Sequence, residues 1–264
     1  MDLLQVIVLA LIQGITEFLP VSSSAHLILP SLLTTWTDQG LLFDVAVHLG
    51  SLAAAVVYFR DDLIGFGKSA WRWVATRDVD EDATLLLKLA IATIPIAVLG
   101  LSFKTIVETE LRNVAVIAST TIIFALALWW ADAKARGDRR EQTLTYPEAF
   151  LIGAAQALAL IPGTSRSGIT ITAALLVGLG REGAARFSFL LAIPTISGAA
   201  LLTAFDAVQL DGPVPWLDVT VGFAIAGVSA YACIAAFIAL VNRTGMTPYV
   251  MYRLLLGGLL LWFV

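Results

Sequence analysis

Apolar runs of membrane-spanning length decide what this chain can fold into before any single residue is considered. A helix needs about 20 predominantly apolar residues to cross a hydrocarbon core. Six runs approach or meet that length: Phe43 to Phe59, Thr84 to Phe103, Val114 to Ala131, Phe187 to Phe205, Trp216 to Val241 and Pro248 to Val264. They are continuous rather than short and alternating, which selects α-helices over a β-barrel. Composition agrees, since 59% of the 264 residues are hydrophobic and 14% charged, against roughly 25% charge in a soluble domain. The expected fold is an all-α integral membrane protein, one membrane domain over residues 1–264.

Two more apolar segments are too short to cross. Leu3 to Phe18 would rise only about 24 Å as a helix. It breaks at Pro20, and only the short stretch Leu27 to Leu33 follows. The second segment runs from Ala149 into "PGTSRSG" and resumes as "GITITAALLVGLG". Each predicts a re-entrant helix-loop-helix hairpin, over 1–35 and 147–180. Gln13 to Pro20 corresponds to Gln156 to Pro162, and Phe43 to Phe187. The chain therefore reads as two repeats. Repeat one (1–131) carries spans 43–59, 84–103 and 114–131; repeat two (147–264) carries spans 187–205, 216–241 and 248–264. A hairpin returns to its own side while three crossings do not, so the second repeat enters from the opposite face, an inverted topology.

Charge sets the orientation. The loops 60–83 and 132–147 share one side and hold Arg60, Lys68, Arg72, Arg77, Lys134, Arg136, Arg139 and Arg140; the other side offers Lys104 and Arg112. The positive-inside rule makes the rich side cytoplasmic and puts both termini outside. Asp78, Asp80, Glu81 and Asp82 read as solvated surface, and Arg112, Arg181, Arg186 and Arg243 as interfacial anchors at span ends. A net charge of −4 gives no basic field for a nucleic acid. Cys233, the single cysteine, supports neither a disulfide nor a cysteine metal site and reads as a packed small hydrophobe. The N-terminus lacks the positive start of a signal peptide and reads as mature structure.

Broken backbone at membrane depth survives only when buried in protein or lining a wet cavity, so two breaks in corresponding places point to one shared site. Half-helices starting near Ser23 and Ser167 would aim N–H groups at an anion there. Gln13 and Glu17, four apart, share a helix face. An intramembrane carboxylate is functional by default: Glu17 could ligate Mg²⁺ or take a proton from Ser23, with Gln13 adding an amide oxygen. Ser22, Ser23 and Ser24 are each ordinary helix caps, but His26 lies one turn on, where its ring can reach back to a loop hydroxyl as a Ser-His pair. His48, four residues from Asp44, reads as a packing or hydrogen-bonding residue. Arg166, flanked by Thr164, Ser165, Ser167 and Thr170, suits a phosphoryl or diphosphoryl group; the alternative is a buried ion pair with Glu17.

"QGITEFLPVSSSAH" and "PGTSRSGIT", together with "FDVAVHLGS", "FSFLLAIP" and "YRLLLG", closely resemble the bacterial undecaprenyl-pyrophosphate phosphatase family, also called bacitracin-resistance proteins. The resemblance covers essentially the whole chain. It implies a multi-pass plasma-membrane enzyme that hydrolyses undecaprenyl diphosphate to undecaprenyl phosphate and phosphate, recycling the lipid carrier of cell-wall synthesis. It implies a divalent cation, Mg²⁺ or Ca²⁺, held through Glu17 and Gln13, and a site open to the outer face. Ser23 matches the family's proposed nucleophile, His26 its motif histidine, and Arg166 its diphosphate-binding arginine, accompanied by Ser165, Ser167 and Thr170. Two departures stand out: Gln13 replaces a frequent Glu, and "SSSAH" replaces a frequent "SSTGH", which leaves both Ser22 and Ser23 open as nucleophile. The expected partners are a polyprenyl diphosphate lipid and the membrane, with a homodimer allowed and no nucleic acid. The alternative from another class is a lipid-phosphate translocase on the same inverted repeat. A type-2 phosphatidic-acid phosphatase is disfavoured, because its lysine-rich first motif and second histidine are not visible.

Overall fold

The computed structural model describes residues 1–27, 29–30, 34, 36, 39–106, 110–111, 113–135, 137–208 and 214–262. Expectations placed on Arg112, Arg136, the side chain of Lys104 and much of the second arm of the first hairpin lie outside the described residues. Among the described residues the secondary structure is entirely helical.

Asp2 caps the first helix, α1 (Leu3–Thr16), its side chain accepting from Gln5 N at 2.7 Å. A five-residue helix, α2 (Ser23–Leu27), follows the break, and α3 (Leu41–Tyr58) opens the first set of long helices. The expected loop 60–83 is instead largely a helix, α4 (Arg60–Thr76), which starts directly after α3. Of the segment's acids, Asp78, Glu81 and Asp82 are exposed as expected, whereas Asp80 accepts from Ala83 N (2.9 Å), Ser69 Oγ (2.8 Å) and Arg72 Nη1 (2.8 Å), capping the next helix and tying it to α4. That helix is α5 (Glu81–Ile106), followed by α6 (Val114–Lys134). The second half runs α7 (Tyr146–Gln156), a 3-10 turn Ala157–Leu160, α8 (Arg166–Leu176), α9 (Arg181–Val208), α10 (Trp216–Thr244) and α11 (Thr247–Leu261).

Five of these, α3, α5, α6, α9 and α10, are long and apolar enough to cross a membrane. The sixth expected span, 248–264, is the 15-residue α11 among the described residues, a rise of about 22 Å. The exposed side chains of Val98, Leu101, Ile123, Leu201 and Val228 face outward because lipid, not water, surrounds them. Cys233 packs against α1, its thiol donating to Ile15 O at 3.2 Å.

Packing crosses between the halves. α1 lies on α10, α7 on α5, α3 on both α9 and α10, and α6 on α11. Close approach demands glycine at some crossings. A Cβ on Gly153 of α7 would collide with the Ala92 backbone of α5, and one on Gly50 of α3 with Phe223 O of α10. The main core joins Phe18, Phe59, Phe187, Phe189 and Phe237, with Phe18 and Phe189 edge to face at 5.3 Å.

Charges knit one end of the bundle. Arg181 pairs with buried Asp132 (2.6 Å), and Arg186 joins Asp62 (2.7 Å) to buried Glu141 (2.6 Å). These two arginines are internal cross-links rather than the interfacial anchors their span-end positions suggested, whereas Arg243 is exposed. Arg139 holds Glu148 (2.7 Å), Val177 O (3.0 Å) and Thr143 O (2.8 Å), and its own carbonyl accepts from Gly180 N (2.9 Å). The start of α7 is thereby fastened to the end of α8. Glu148 also closes a capping box with Thr145. At the opposite end Met1 N pairs with Asp218 at 3.1 Å, placing the start of α1 beside the start of α10.

Two outcomes follow from this frame. Gly153→Val should prise α7 from α5 and lower the thermal midpoint in detergent, with an overpacking cost of about 1–3 kcal/mol, read by unfolding followed with intrinsic fluorescence. The hydrogen bonds from Arg139 hold the Glu148 carboxyl down at about 2, below its ordinary 4.5. A depressed folded value adds stability that is present above the unfolded value and lost as pH falls. Wild type should therefore exceed Glu148→Gln in stability at pH 7, and the gap should close as pH falls from about 4.5 to about 2. A gap independent of pH would contradict this.

Candidate functional site

The two breaks meet inside the bundle. After α1 the chain turns back through 17–22, and Ser22 takes a left-handed conformation (φ 72°) immediately before α2. In the second half the chain turns through 161–165, and Ser165 (φ 70°) immediately precedes α8. Left-handed backbone costs a residue with a Cβ about 1–2 kcal/mol, and such strain persists only where the surroundings enforce it. Both strained serines meet a serine two residues on, Ser22 Oγ to Ser24 Oγ at 3.1 Å and Ser165 Oγ to Ser167 Oγ at 3.3 Å. The residue between each pair, Ser23 in one break and Arg166 in the other, is the one that reaches Glu17.

Both carboxylate oxygens of Glu17 are engaged. Arg166 Nη2 donates to Oε1 at 3.2 Å and to the Glu17 carbonyl at 3.4 Å. Ser23 Oγ (3.2 Å) and Gln13 Nε2 (2.9 Å) donate to Oε2. His48 Nε2 stands 3.9 Å from the same oxygen. The ion pair is buried, with 8% of the Glu17 side chain and 11% of the Arg166 side chain exposed. The guanidinium also donates to Ser188 O (3.2 Å) and lies over the Phe18 ring, 5.6 Å from its centroid.

A cavity of about 400 Å³ opens on this cluster. Glu17, Ser22, Ser23, Ser165 and Arg166, all singled out from the sequence, line it. Ser167 and Thr170 do not. Ser167 Oγ donates to Leu19 O (2.8 Å), and Thr170 Oγ1 meets Ser188 Oγ (2.7 Å), so these hydroxyls fasten α8 to its neighbours. Gln13 is fully buried behind Glu17.

His26 differs from expectation, whereas His48 takes the hydrogen-bonding role expected of it. His26 Nδ1 donates to Ser22 O (2.7 Å), the carbonyl four residues back, and Nε2 meets Tyr252 Oη (2.7 Å), with the rings stacked at 5.4 Å. A carbonyl can only accept, so Nδ1 holds the proton and Nε2 accepts from the tyrosine. The ring reaches the loop's backbone rather than a hydroxyl, and the expected Ser-His pair is not formed. His48 lines the cavity instead; its Nδ1 donates to Asp44 O (2.7 Å), which turns Nε2 toward Glu17.

Arg253 lies within a segment that reads from sequence as an apolar span. It is fully buried and donates to Gly163 O (3.1 Å), Thr164 O (2.9 Å), Pro20 O (3.4 Å) and Thr121 O (3.2 Å), gathering carbonyls from both breaks. The sequence carries its signal, a cation inside "PYVMYRLLLGG", which the cost of intramembrane charge marks as functional. Ser24 adds a second link, its Oγ accepting from Gly163 N at 3.2 Å.

Among the described residues no group of three or more His, Cys, Asp or Glu could hold a metal ion. Beside Glu17, however, Gln13 Oε1 is buried without a hydrogen-bond partner. A carboxylate and an amide oxygen are the hard donors that Mg²⁺ and Ca²⁺ take, with phosphate oxygens and water completing the shell. The residues present therefore fit such an ion in donor chemistry.

Known proteins match this chain over essentially its whole length. Undecaprenyl-diphosphatase 2 of Stutzerimonas stutzeri (strain A1501) is 52% identical over 264 residues, covering 99% of this chain and 98% of the relative. An undecaprenyl-diphosphatase of Alteromonas mediterranea is 50% identical over 267 residues, covering 100% of this chain and 99% of the relative. A family model described as bacitracin resistance protein BacA matches residues 6–259. On a match of that extent, the chain belongs to the bacitracin resistance protein BacA family.

Proposed function

We propose that this protein hydrolyses undecaprenyl diphosphate to undecaprenyl phosphate and inorganic phosphate at the cavity around Glu17. The observation that carries the reading is the joining of the two breaks on one carboxylate, with Ser23 on one oxygen and Arg166 on the other. The activity is the one named for both relatives.

Each residue then has a task. The terminal phosphoryl group sits against Arg166, whose planar fork matches phosphate oxygens, with Ser165 and Ser22 beside it. Ser23 Oγ attacks the terminal phosphorus and passes its proton to Glu17 Oε2, the oxygen it already faces. The bond to the bridging oxygen breaks, undecaprenyl phosphate leaves, and water releases phosphate from Ser23. Phosphoryl transfer asks mainly for positioning and charge stabilisation, which a buried, preorganised cluster provides. A divalent cation, Mg²⁺ or Ca²⁺, would be held by Glu17 and Gln13 Oε1 and would neutralise charge on the phosphate oxygens. His26 works at one remove, since its bond to Ser22 O fixes the strained turn that presents Ser23.

The architecture we propose is an inverted repeat of residues 1–131 and 147–264, each half opening with a re-entrant hairpin. Three features support it. The strained-serine turns correspond in both halves; α1 packs on α10 as α7 packs on α5; and Arg139 ties the start of α7 to the end of α8 at one end of the bundle. The basic residues gather at that end, so the positive-inside rule makes it cytoplasmic. Leu41 and Thr203, at the far ends of α3 and α9, line the cavity, which favours an opening to the outer face. A lipid-phosphate carrier would share these repeats, but a hydroxyl presented to a buried carboxylate is a provision for chemistry that transport does not need.

Purified Arg166→Ala, Glu17→Ala and Ser23→Ala should each lose at least about a hundredfold in phosphate release from undecaprenyl diphosphate, the scale for removing one transition-state contact. Near-normal turnover in all of them would remove the reading. Lipid translocation without phosphate release in sealed vesicles would favour the carrier.

A further inference from the structure

The cavity has two unlike kinds of lining. Glu17, Asp44, His48, the serines and Arg166 make up the polar part; Leu41 and Val45 of α3, Ile96 of α5, Ala159, and Ile196, Ala199 and Ala200 of α9 make up the apolar part. About 400 Å³ is the size of a drug-sized ligand site, far too small to enclose a long polyprenyl chain. The chain of such a substrate must therefore leave the cavity sideways.

The polar side offers no way out. Ser167 is bonded to Leu19 O, Arg253 spans both breaks, and Arg166 is bonded to Glu17 and Ser188. On the apolar side the walls are small and interrupted. Ala199 is exposed, and a Cβ added at Gly198 would meet nothing within 4 Å. Both facing helices carry an interior proline next to the cavity, Pro95 before Ile96 and Pro194 before Ile196. An interior proline removes one backbone hydrogen bond from its helix, so each of the two facing helices lacks one such bond beside the cavity. Just outside, exposed Leu99, one turn along α5 from Ile96, and Leu202, one turn along α9 from Ala199, continue the apolar surface toward lipid.

We infer that the isoprenoid chain of the substrate leaves the diphosphate cavity laterally between α5 and α9, over Ile96, Ile196 and Ala199, and that this portal is the subsite for the first isoprene units. The inference rests on the proposed phosphatase reading. A second apolar groove, about 550 Å³ between α1 and α11, is the competing path. It lies behind α1, and its lining shares only Thr16 with the cavity.

The test uses full-length protein in detergent, with phosphate release from undecaprenyl diphosphate as the readout and inorganic diphosphate as a competitive inhibitor that has no chain. Ala199→Phe should raise KM for the lipid substrate about tenfold, the scale of a hydrophobic misfit, and Ala199→Leu should raise it by less. The inhibition constant of inorganic diphosphate should stay unchanged in both, which shows that the variants fold and keep the head-group cavity. Ile12→Trp, which fills the competing groove, should leave KM unchanged. An unaltered KM in both Ala199 variants, or a rise confined to Ile12→Trp, overturns the portal. Wild-type protein that releases no phosphate would instead overturn the phosphatase reading, and the portal with it.

Discussion

One buried carboxylate holds the two halves of this protein together at the place where neither could hold itself. Glu17 costs several kcal/mol to bury as an ion unless it is paired and hydrogen-bonded, and its partners come from both breaks. Arg166 arrives from the second half, Ser23 and Gln13 from the first. The pair is therefore poor evidence for stability and better evidence for specification. Removing either member would strand the other charge in a low-dielectric interior, a loss of about 3–5 kcal/mol, so the sequence that keeps one must keep both.

The same logic governs the backbone. Each break frees carbonyls and N–H groups that lipid cannot satisfy. Arg253 supplies donors to Pro20, Gly163 and Thr164, while Thr120 Oγ1 donates to Pro162 O at 2.6 Å and Thr121 Oγ1 to Gly163 O at 3.2 Å. α6 and α11, packed against each other, thus act as the floor on which both turns rest. The left-handed serines can be strained because so many bonds fix the chain on either side of them. Arg253 touches neither Glu17 nor Ser23, yet it holds the carbonyls of the turns that present Ser23 and Arg166.

Much of this was legible in the sequence, for identifiable reasons. Hydropathy located the long helices because lipid imposes length and apolarity directly. Proline and the polar clusters located the breaks, and helical spacing put Gln13 with Glu17. What escaped depends on direction rather than position. His26 and His48 each bond the backbone carbonyl four residues back, a local preference that spacing alone cannot separate from catalysis, and only the packing of α3 turns His48 to the cavity. Ser167 and Thr170 stand one residue and one turn from Arg166 but face Leu19 and Ser188. α4 hid within a segment read as a loop because its mixture of charges and aromatics, with Trp71 and Val74 exposed, suits neither a span nor a soluble core. Such a mixture suits a helix lying at the membrane surface.

Gln13 shows how the charge count constrains the chemistry. A carboxylate there would sit four residues from Glu17 on the same face, and two anions would compete for Arg166. The amide instead donates to Glu17 and leaves one negative charge matched to one positive. The cluster is thus neutral between Glu17 and Arg166, and a diphosphate entering it brings charge that this pair alone does not balance. In the proposed reaction Arg166 would turn part of its hydrogen bonding from Glu17 toward phosphate. As it does so the carboxylate keeps Ser23 and Gln13 as hydrogen-bond donors on Oε2. The guanidinium that fixes the carboxylate in place is thus the same one proposed to receive the phosphate.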